Sequence, residues 1–485
     1  MKKYDLLTNL SFGAVDSESE KDLDKVFIQT ENFKEFLNPN IALLLGSKGA
    51  GKSALFRLFA KYEASARCMS AHAIDDVYIV AGIGFKDVPE MDDMQLFNQI
   101  DSKAVSAETA WKIYITYKII FELYAKYEII CGKKCLSVLQ KSNVVRDNRI
   151  LGLFTQLYKK FVGDPPKISQ IDFKNVSISL SQNSKVSIYE LLDEINAYLL
   201  HNKKTVWLLL DKIDELFSSK AETRKECIEG LFLAYIDFVA RYSSIKVKIF
   251  LRTDIWNTLS FVNKSHLTDK TAKIIWNTES LTELILKRAV ANKVVNDYIM
   301  STTHLQSWKD DANRCFSLLF PDKVYPGPRE AKTISWIIER STDGLGGVYP
   351  REIINFCNFS VKEELKKGEN LSQDMDPTKS AISGTSIRNA FISVSDTKVH
   401  SYLSEFINLS KHFERFTGQT SAEFTQIGLA ELMKGLHPEG EEMIKQLHET
   451  GVIAYTSGLV LIPDSKIIVP RLFRSGLGII TQGRP

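Results

Sequence analysis

Residues 41–62 read IALLLGSKGAGKSALFRLFAKY, and no other stretch restricts the possible folds as much. The five apolar residues 41–45 have the length and character of a buried strand. GSKGAGKS follows and fits G-x-x-x-x-G-K-[ST] at every fixed position. Leu55, Leu58, Phe59 and Tyr62 then fall on one face of a helix. In such a strand–loop–helix unit the glycines let backbone N–H groups turn inward toward phosphate oxygens. The new helix adds its positive N-terminal end. Gly46, Ser47, Lys48, Gly49, Ala50, Gly51, Lys52 and Ser53 are therefore the candidate phosphate-binding residues. Lys52 has the reach for β- and γ-phosphates, and the Ser53 hydroxyl suits Mg²⁺. The stretch predicts a nucleoside triphosphate, ATP with Mg²⁺, bound at the edge of a parallel α/β sheet.

Two later stretches supply groups for that edge. Residues 205–217, TVWLLLDKIDELF, are an apolar run ending in Asp211, with Asp214 and Glu215 just beyond. Parallel sheets place ligand chemistry at the carboxyl ends of their strands. Asp211 is the candidate Walker B aspartate, holding Mg²⁺ through water. Residues 245–256, IKVKIFLRTDIW, form a strand that delivers Arg252, Thr253 and Asp254 to the same edge, where a polar group can sense a γ-phosphate or place the attacking water. Residues 272–276, AKIIW, suit a last core strand, and Thr278 or Ser280 suits the cap of the helix after it. In DGLGGVYPREIINFC, Pro350 fits a first helical position and puts Arg351 in the first turn. Arg351 there is either a lid arginine for the γ-phosphate or a surface arginine at a helix start.

At 485 residues the chain has room for roughly three domains of ~150 residues. The 62 basic and 59 acidic residues leave a net charge of +3, which gives no sign of a broad nucleic-acid-binding surface. The six cysteines, Cys68, Cys131, Cys135, Cys227, Cys315 and Cys357, lack the spacing of a zinc site and read as reduced, cytosolic thiols. No apolar signal core opens the chain, and Lys118, Glu122, Lys126 and Glu128 interrupt its greasiest run, so a buried helix is expected there and no membrane span. Residues 76–85 suit a second buried strand, residues 90–165 a helical insertion, and the alternating residues 175–184 an edge strand. Residues 366–386 are polar and turn-rich, as in a linker. Beyond them, helix, Gly451, strand, a Ser457-Gly458 turn and strand suggest a winged helix. Its candidate recognition helix, residues 438–449, carries Glu439, Glu441, Glu442 and Glu449 against Lys445, a face that repels DNA phosphates and better suits a protein.

On GSKGAGKSALFR, LLLDKIDEL, FLRTDIW and YPREIIN, the chain resembles a bacterial P-loop ATPase group close to the STAND and AAA-type NTPases. The resemblance runs over most of the chain. It implies an α/β core with a helical insertion over residues 1–278, a helical lid over 279–370 and a winged-helix domain over 387–485. It implies nucleotide and Mg²⁺ at Lys52 and Ser53, Asp211 as the Walker B residue, Arg252 or Thr253 as a first sensor and Arg351 as the lid sensor. Proteins of this type often act as switches, and some bacterial relatives sit in phage defence; a homo-oligomer and a separate effector protein are the expected partners. One departure stands out. AAA-type ATPases usually place glutamate directly after the Walker B aspartate, and Lys212 occupies that position here. Asp214 or Glu215 is left as the candidate base, and a slow ATPase is expected. The rival expectation is a DNA-binding ATPase of initiator or loader type, for which Arg471, Arg474 and Arg484 are the basic material.

Overall fold

The computed structural model describes residues 1–84, 106–141, 177–181, 184–216, 220–456 and 466–480. Phe85, the expected insertion on either side of 106–141, the Ser457-Gly458 turn and Arg484 lie outside them. By internal packing the chain forms two units, one of Met1–Thr30, Ser47–Gly51 and Ile275–Pro485, the other of Glu31–Gly46 and Lys52–Ile274.

The strands of the second unit are, in chain order, β1 (Leu43–Gly46), β2 (Val77–Ala81), β3 (Ser177–Ser181), β4 (Ser184–Ser187), β5 (Thr205–Leu210), β6 (Ile245–Arg252) and β7 (Thr271–Lys273). One sheet runs β2-β5-β6-β1-β7, and each pairing in it is parallel. Parallel sheets are covered on both faces, which is why β1, β2 and β5 read as largely apolar runs. Leu43, Leu44, Leu208, Leu209, Leu210, Ile249 and Phe250 are fully buried accordingly. Helices Ala107–Tyr127 and Ala221–Arg241 pack together over the sheet, with Trp111 Nε1 donating to the Cys227 carbonyl at 2.8 Å. The greasy run is thus a buried helix. The expected edge strand at 175–184 appears as β3, which pairs antiparallel with β4 apart from the parallel sheet.

Lys248, in the middle of β6, is wholly buried. Its Nζ donates to the carbonyls of Phe36, Asn38 and Ile41 at 3.0, 2.7 and 2.7 Å and lies 4.3 Å from the Trp207 ring centre. One ammonium thereby ties the end of helix Glu31–Leu37 and the lead into β1 to the central strand. Burial, and then Lys246, pull its pKa down to about 7.

In the other unit, helix Lys3–Asn9 packs against helices Lys293–Thr303 and Pro350–Leu365. Helix Thr278–Ala289 is capped by Asn277, in place of the expected Thr278 or Ser280. Asn277 Oδ1 accepts from the Ser280 N–H at 2.8 Å while Ser280 Oγ accepts from the Asn277 N–H at 3.0 Å, so Thr278 already lies inside the helix. Pro350 does occupy the first turn of its helix. That helix runs beside Gly384–Glu405, joined by a buried ion pair between Lys398 Nζ and Glu352 Oε1 at 2.6 Å. The polar stretch 366–386 is tied down as well. Glu364 accepts from the Ser383 N–H at 2.9 Å and pairs with Lys3 at 2.6 Å. Burial raises the Glu364 pKa, but Lys3 and Ser383 win and bring it to about 2.

The end of the chain continues with β8 (Glu423–Phe424), helices Gln426–Leu432 and Gly440–Glu449, β9 (Ala454–Tyr455) and β10 (Ile467–Ile468). β10 lies antiparallel between β8 and β9. Strand, two helices and two strands in that order form a winged helix.

Lys248→Met is expected to cost about 2–4 kcal/mol, because three buried carbonyls lose their donor. The folded pKa of Lys248 lies below its unfolded value of 10.5. The unfolded chain therefore holds the extra proton across that window, and wild-type stability should gain on the variant as pH rises from about 7 toward 10. Urea unfolding of both proteins at several pH values measures the cost and the slope.

Candidate nucleotide-binding site

β5, β6 and β1 are neighbours in the sheet and run in one direction, so Asp211, Arg252 and Gly46 come out at the same edge. Gly46 is in register with Arg252. Lys52 opens helix Lys52–Lys61 and turns its ammonium back to the Gly46 carbonyl at 2.7 Å. Burial lowers the Lys52 pKa to about 8, against the pull of Asp211 and Asp214. The Ser53 hydroxyl donates to the Asp211 carboxylate. Asp211 is 2% exposed. Burial raises its pKa to about 6, although Ser53, Lys52 and the Lys212 N–H favour the charged form.

Asp211 Oδ2 is buried without a hydrogen-bond partner. Such an orphan needs an explanation, and a hard cation is one that a carboxylate beside a hydroxyl can supply. Ser53 and Asp211 thus fit Mg²⁺. Among the described residues no group of three or more His, Cys, Asp or Glu could hold a metal by itself, so phosphate oxygens and water would complete the shell.

After β5 the backbone turns through Lys212 in the left-handed region, φ 55° and ψ 27°, into the 3₁₀ turn Ile213–Glu215. Asp214 and Glu215 sit in that turn, and Asp214 acts electrostatically on both Lys52 and Asp211. The Arg252 guanidinium is held by Asp254, Nε to Oδ1 at 3.1 Å and Nη2 to Oδ2 at 2.6 Å. Thr253 opens the short helix Thr253–Thr258.

Residues Ser47–Gly51 pack within the other unit. The Tyr349 hydroxyl donates to Ser47 Oγ at 2.7 Å, Lys48 Nζ meets Glu405 Oε2 at 2.6 Å, and Trp276 Nε1 donates to the Ala50 carbonyl at 2.9 Å. Gly49 has φ +86°, and a Cβ built on it would come 2.8 Å from the Arg351 Cβ. Arg351 therefore lies against the loop.

Of the residues picked out from sequence, Gly46, Lys52, Ser53, Asp211, Asp214, Glu215, Arg252 and Thr253 belong to the sheet unit. Ser47, Lys48, Gly49, Ala50, Gly51 and Arg351 belong to the helical one. Sequence reasoning missed Asp254 as the partner of Arg252, Gly84 against Asp211, and Trp276, Tyr349 and Glu405 on the loop. The two-residue spacing of Arg252 and Asp254 and the glycine at the end of IVAGIG were available signals. Tyr349 and Glu405 lie about 300 and 360 residues from their partners and carried none.

No protein-family model and no curated protein matches the chain. It is similar in structure to the Aeropyrum pernix ORC1 protein in complex with DNA, at 11% identity over 91% of this chain and 88% of that one, TM-score 0.36. The Aeropyrum pernix ORC2 protein in its ADPNP-ADP complexes shows 11% identity over 90% and 86%, TM-score 0.39. Cdc6p from Pyrobaculum aerophilum shows 13% identity over 91% and 89%, TM-score 0.29. Likeness at such scores says nothing of ligand, activity or partner. The sheet, its order and the loop are those of a P-loop NTPase core.

Gly84 has φ +95°, and an added Cβ would stand 2.7 Å from the Asp211 carbonyl oxygen. Gly84→Ala should cost roughly 2 kcal/mol or more, through the strained backbone and the displaced Asp211. Urea unfolding without nucleotide gives the value, and a cost near zero would mean that Asp211 is not gripped from β2.

Proposed function

We propose that the protein binds ATP with Mg²⁺ and works as a nucleotide-gated switch that self-assembles or controls a separate effector protein. The observation that carries the proposal is the unsatisfied Asp211 Oδ2 beside the Ser53 hydroxyl and the Lys52 ammonium, at the edge of a P-loop sheet. Lys52 exchanges the Gly46 carbonyl for phosphate oxygens. Ser53 and Asp211 hold the cation, which neutralises phosphate charge when bound. Asp214 or Glu215 orients the attacking water, with Arg252 or Thr253 near the γ-phosphate. With Lys212 directly after Asp211, hydrolysis is slow. The resemblance to STAND-type switches supplies the setting, bacterial phage defence in the cytoplasm. Among the described residues no helix is long and apolar enough to cross a membrane.

A second reading, a DNA-binding ATPase of initiator or loader type, is favoured by the winged-helix strand order. Against it, Glu441 and Glu442 are exposed on helix Gly440–Glu449. Arg471 already faces Glu339 at 3.5 Å, and Arg474 donates to the Val469 carbonyl at 2.8 Å.

Lys52→Ala should weaken ATP binding at least about tenfold, which is about 1.4 kcal/mol. Calorimetry checks this, and phosphate release by the wild type should run well below ~10 per second. Equal affinity in the two proteins would remove the nucleotide site from Lys52.

ATP shifts a two-state protein only through contacts that differ between its states. Arg351 is the lid residue proposed to make such a contact. A preference of about 3 kcal/mol would change the assembled population roughly 150-fold. Mass photometry with and without ATP should show nucleotide-dependent assembly, or capture of a co-encoded protein. Arg351→Ala should lose it while most ATP binding remains. Assembly indifferent to both nucleotide and mutation would sink the switch.

A further inference from the structure

We propose that Tyr349 and Glu405 are positioning residues for the phosphate loop, gripping it from outside through Ser47 and Lys48; the inference rests on the nucleotide-binding reading above. The sequence pattern leaves those two loop positions open, as it does Gly49 and Ala50. In this chain each of the four has a neighbour of its own: Tyr349 on Ser47, Glu405 on Lys48, Arg351 on Gly49 and Trp276 on Ala50. A loop with glycines at 46, 49 and 51 has many conformations to lose on binding phosphate. Anchors that hold its backbone in advance raise affinity without touching the ligand.

Glu405 makes the strongest case. It is the last residue of helix Gly384–Glu405, whose final turn has no basic residue. A carboxylate at a helix C-terminus opposes the helix dipole, so helix stability gives no reason for an acid there. Lys48 does: its ammonium is 2.6 Å from Glu405 Oε2 and 3.4 Å from Ser401 Oγ, one helical turn earlier. The Glu405 side chain is 16% exposed and that of Lys48 36%, so the pair is half-sheltered and its worth is that of a partly screened pair.

Tyr349, the residue before helix Pro350–Leu365, holds Ser47 from the neighbouring helix. The two helices are fastened by the buried Lys398–Glu352 pair, so both grips belong to one helix pair. Whatever that pair contributes to nucleotide affinity, nucleotide returns to the placement of the pair, since coupling is reciprocal.

Calorimetry of Mg·ATP binding to the full chain tests the assignment. Glu405→Gln and Lys48→Met should each weaken binding by about threefold to fivefold, without adding when combined. Tyr349→Phe should weaken it by about threefold, as expected for one lost hydrogen bond. The charge-swapped pair Lys48→Glu with Glu405→Lys should recover most of the loss, a rescue that general damage to the fold would not give. Melting without nucleotide should fall by no more than one hydrogen bond or one partly screened pair is worth. Wild-type affinity in Glu405→Gln and Tyr349→Phe, with binding lost in Lys52→Ala, would overturn the grip and leave the nucleotide site standing. A swapped pair that melts like wild type but binds no better than Glu405→Gln would overturn it too. Failure of the wild type to bind ATP would bring down the nucleotide reading and this inference together.

Discussion

Asp211 lies buried and Lys52 half-buried within electrostatic reach of each other at one edge of the sheet, and loss of water moves the pKa of each toward neutrality. Burying two charges is costly, and in most settings apolar side chains would serve stability as well or better. The fold reaches this arrangement because β1, β6 and β5 are parallel neighbours, so their carboxyl ends share one edge. The apolar strands, the central ammonium of Lys248 and the close approach of Gly84 to Asp211 all keep that edge in place. One carboxylate oxygen is still left over. It is the local inconsistency at which a binding site is expected to show itself.

Much of the sheet was legible because a parallel strand has to be apolar on both faces. Residues 41–45 and 206–210 announce themselves that way, ending at Gly46 and Asp211, and residues 245–251 do so apart from Lys246 and Lys248. Pro350 was legible for a different reason, since a ring without an N–H is welcome in a first helical turn. The winged-helix order could be read from a helical pattern, Gly451 and the strand pattern after it. The hairpin at 177–187 could not be placed, because its period-two pattern fixes a strand but says nothing of its neighbour. Asn277 was passed over as a cap because Thr278 and Ser280 are just as good by type, and only the reciprocal bonds decide between them.

The candidate site was legible in part, for the same physical reasons. Lys52, Ser53 and Asp211 stand on a loop and a strand with strong local patterns. In the sequence Lys248 is a polar interruption of an apolar strand, and its three carbonyl acceptors lie more than 200 residues away. Periodicity does not report contacts of that kind. The same holds for Tyr349 and Glu405, which pattern alone would leave among ordinary helix-terminal residues.

Helix Lys3–Asn9 belongs with helices roughly 290 to 360 residues further along the chain, and Lys3 meets Glu364 across 361 residues. During synthesis at about 5–20 residues per second, Lys3 waits roughly 20–70 seconds before Glu364 is made. Throughout that interval Leu6, Leu7, Leu10 and Phe12, all buried in the finished protein, have yet to meet their partners on the 350–365 helix. Among the described residues, the last strand of the sheet unit ends at Lys273. Translation therefore delivers the strands of one unit together while the other still has helix Lys3–Asn9 unsheltered.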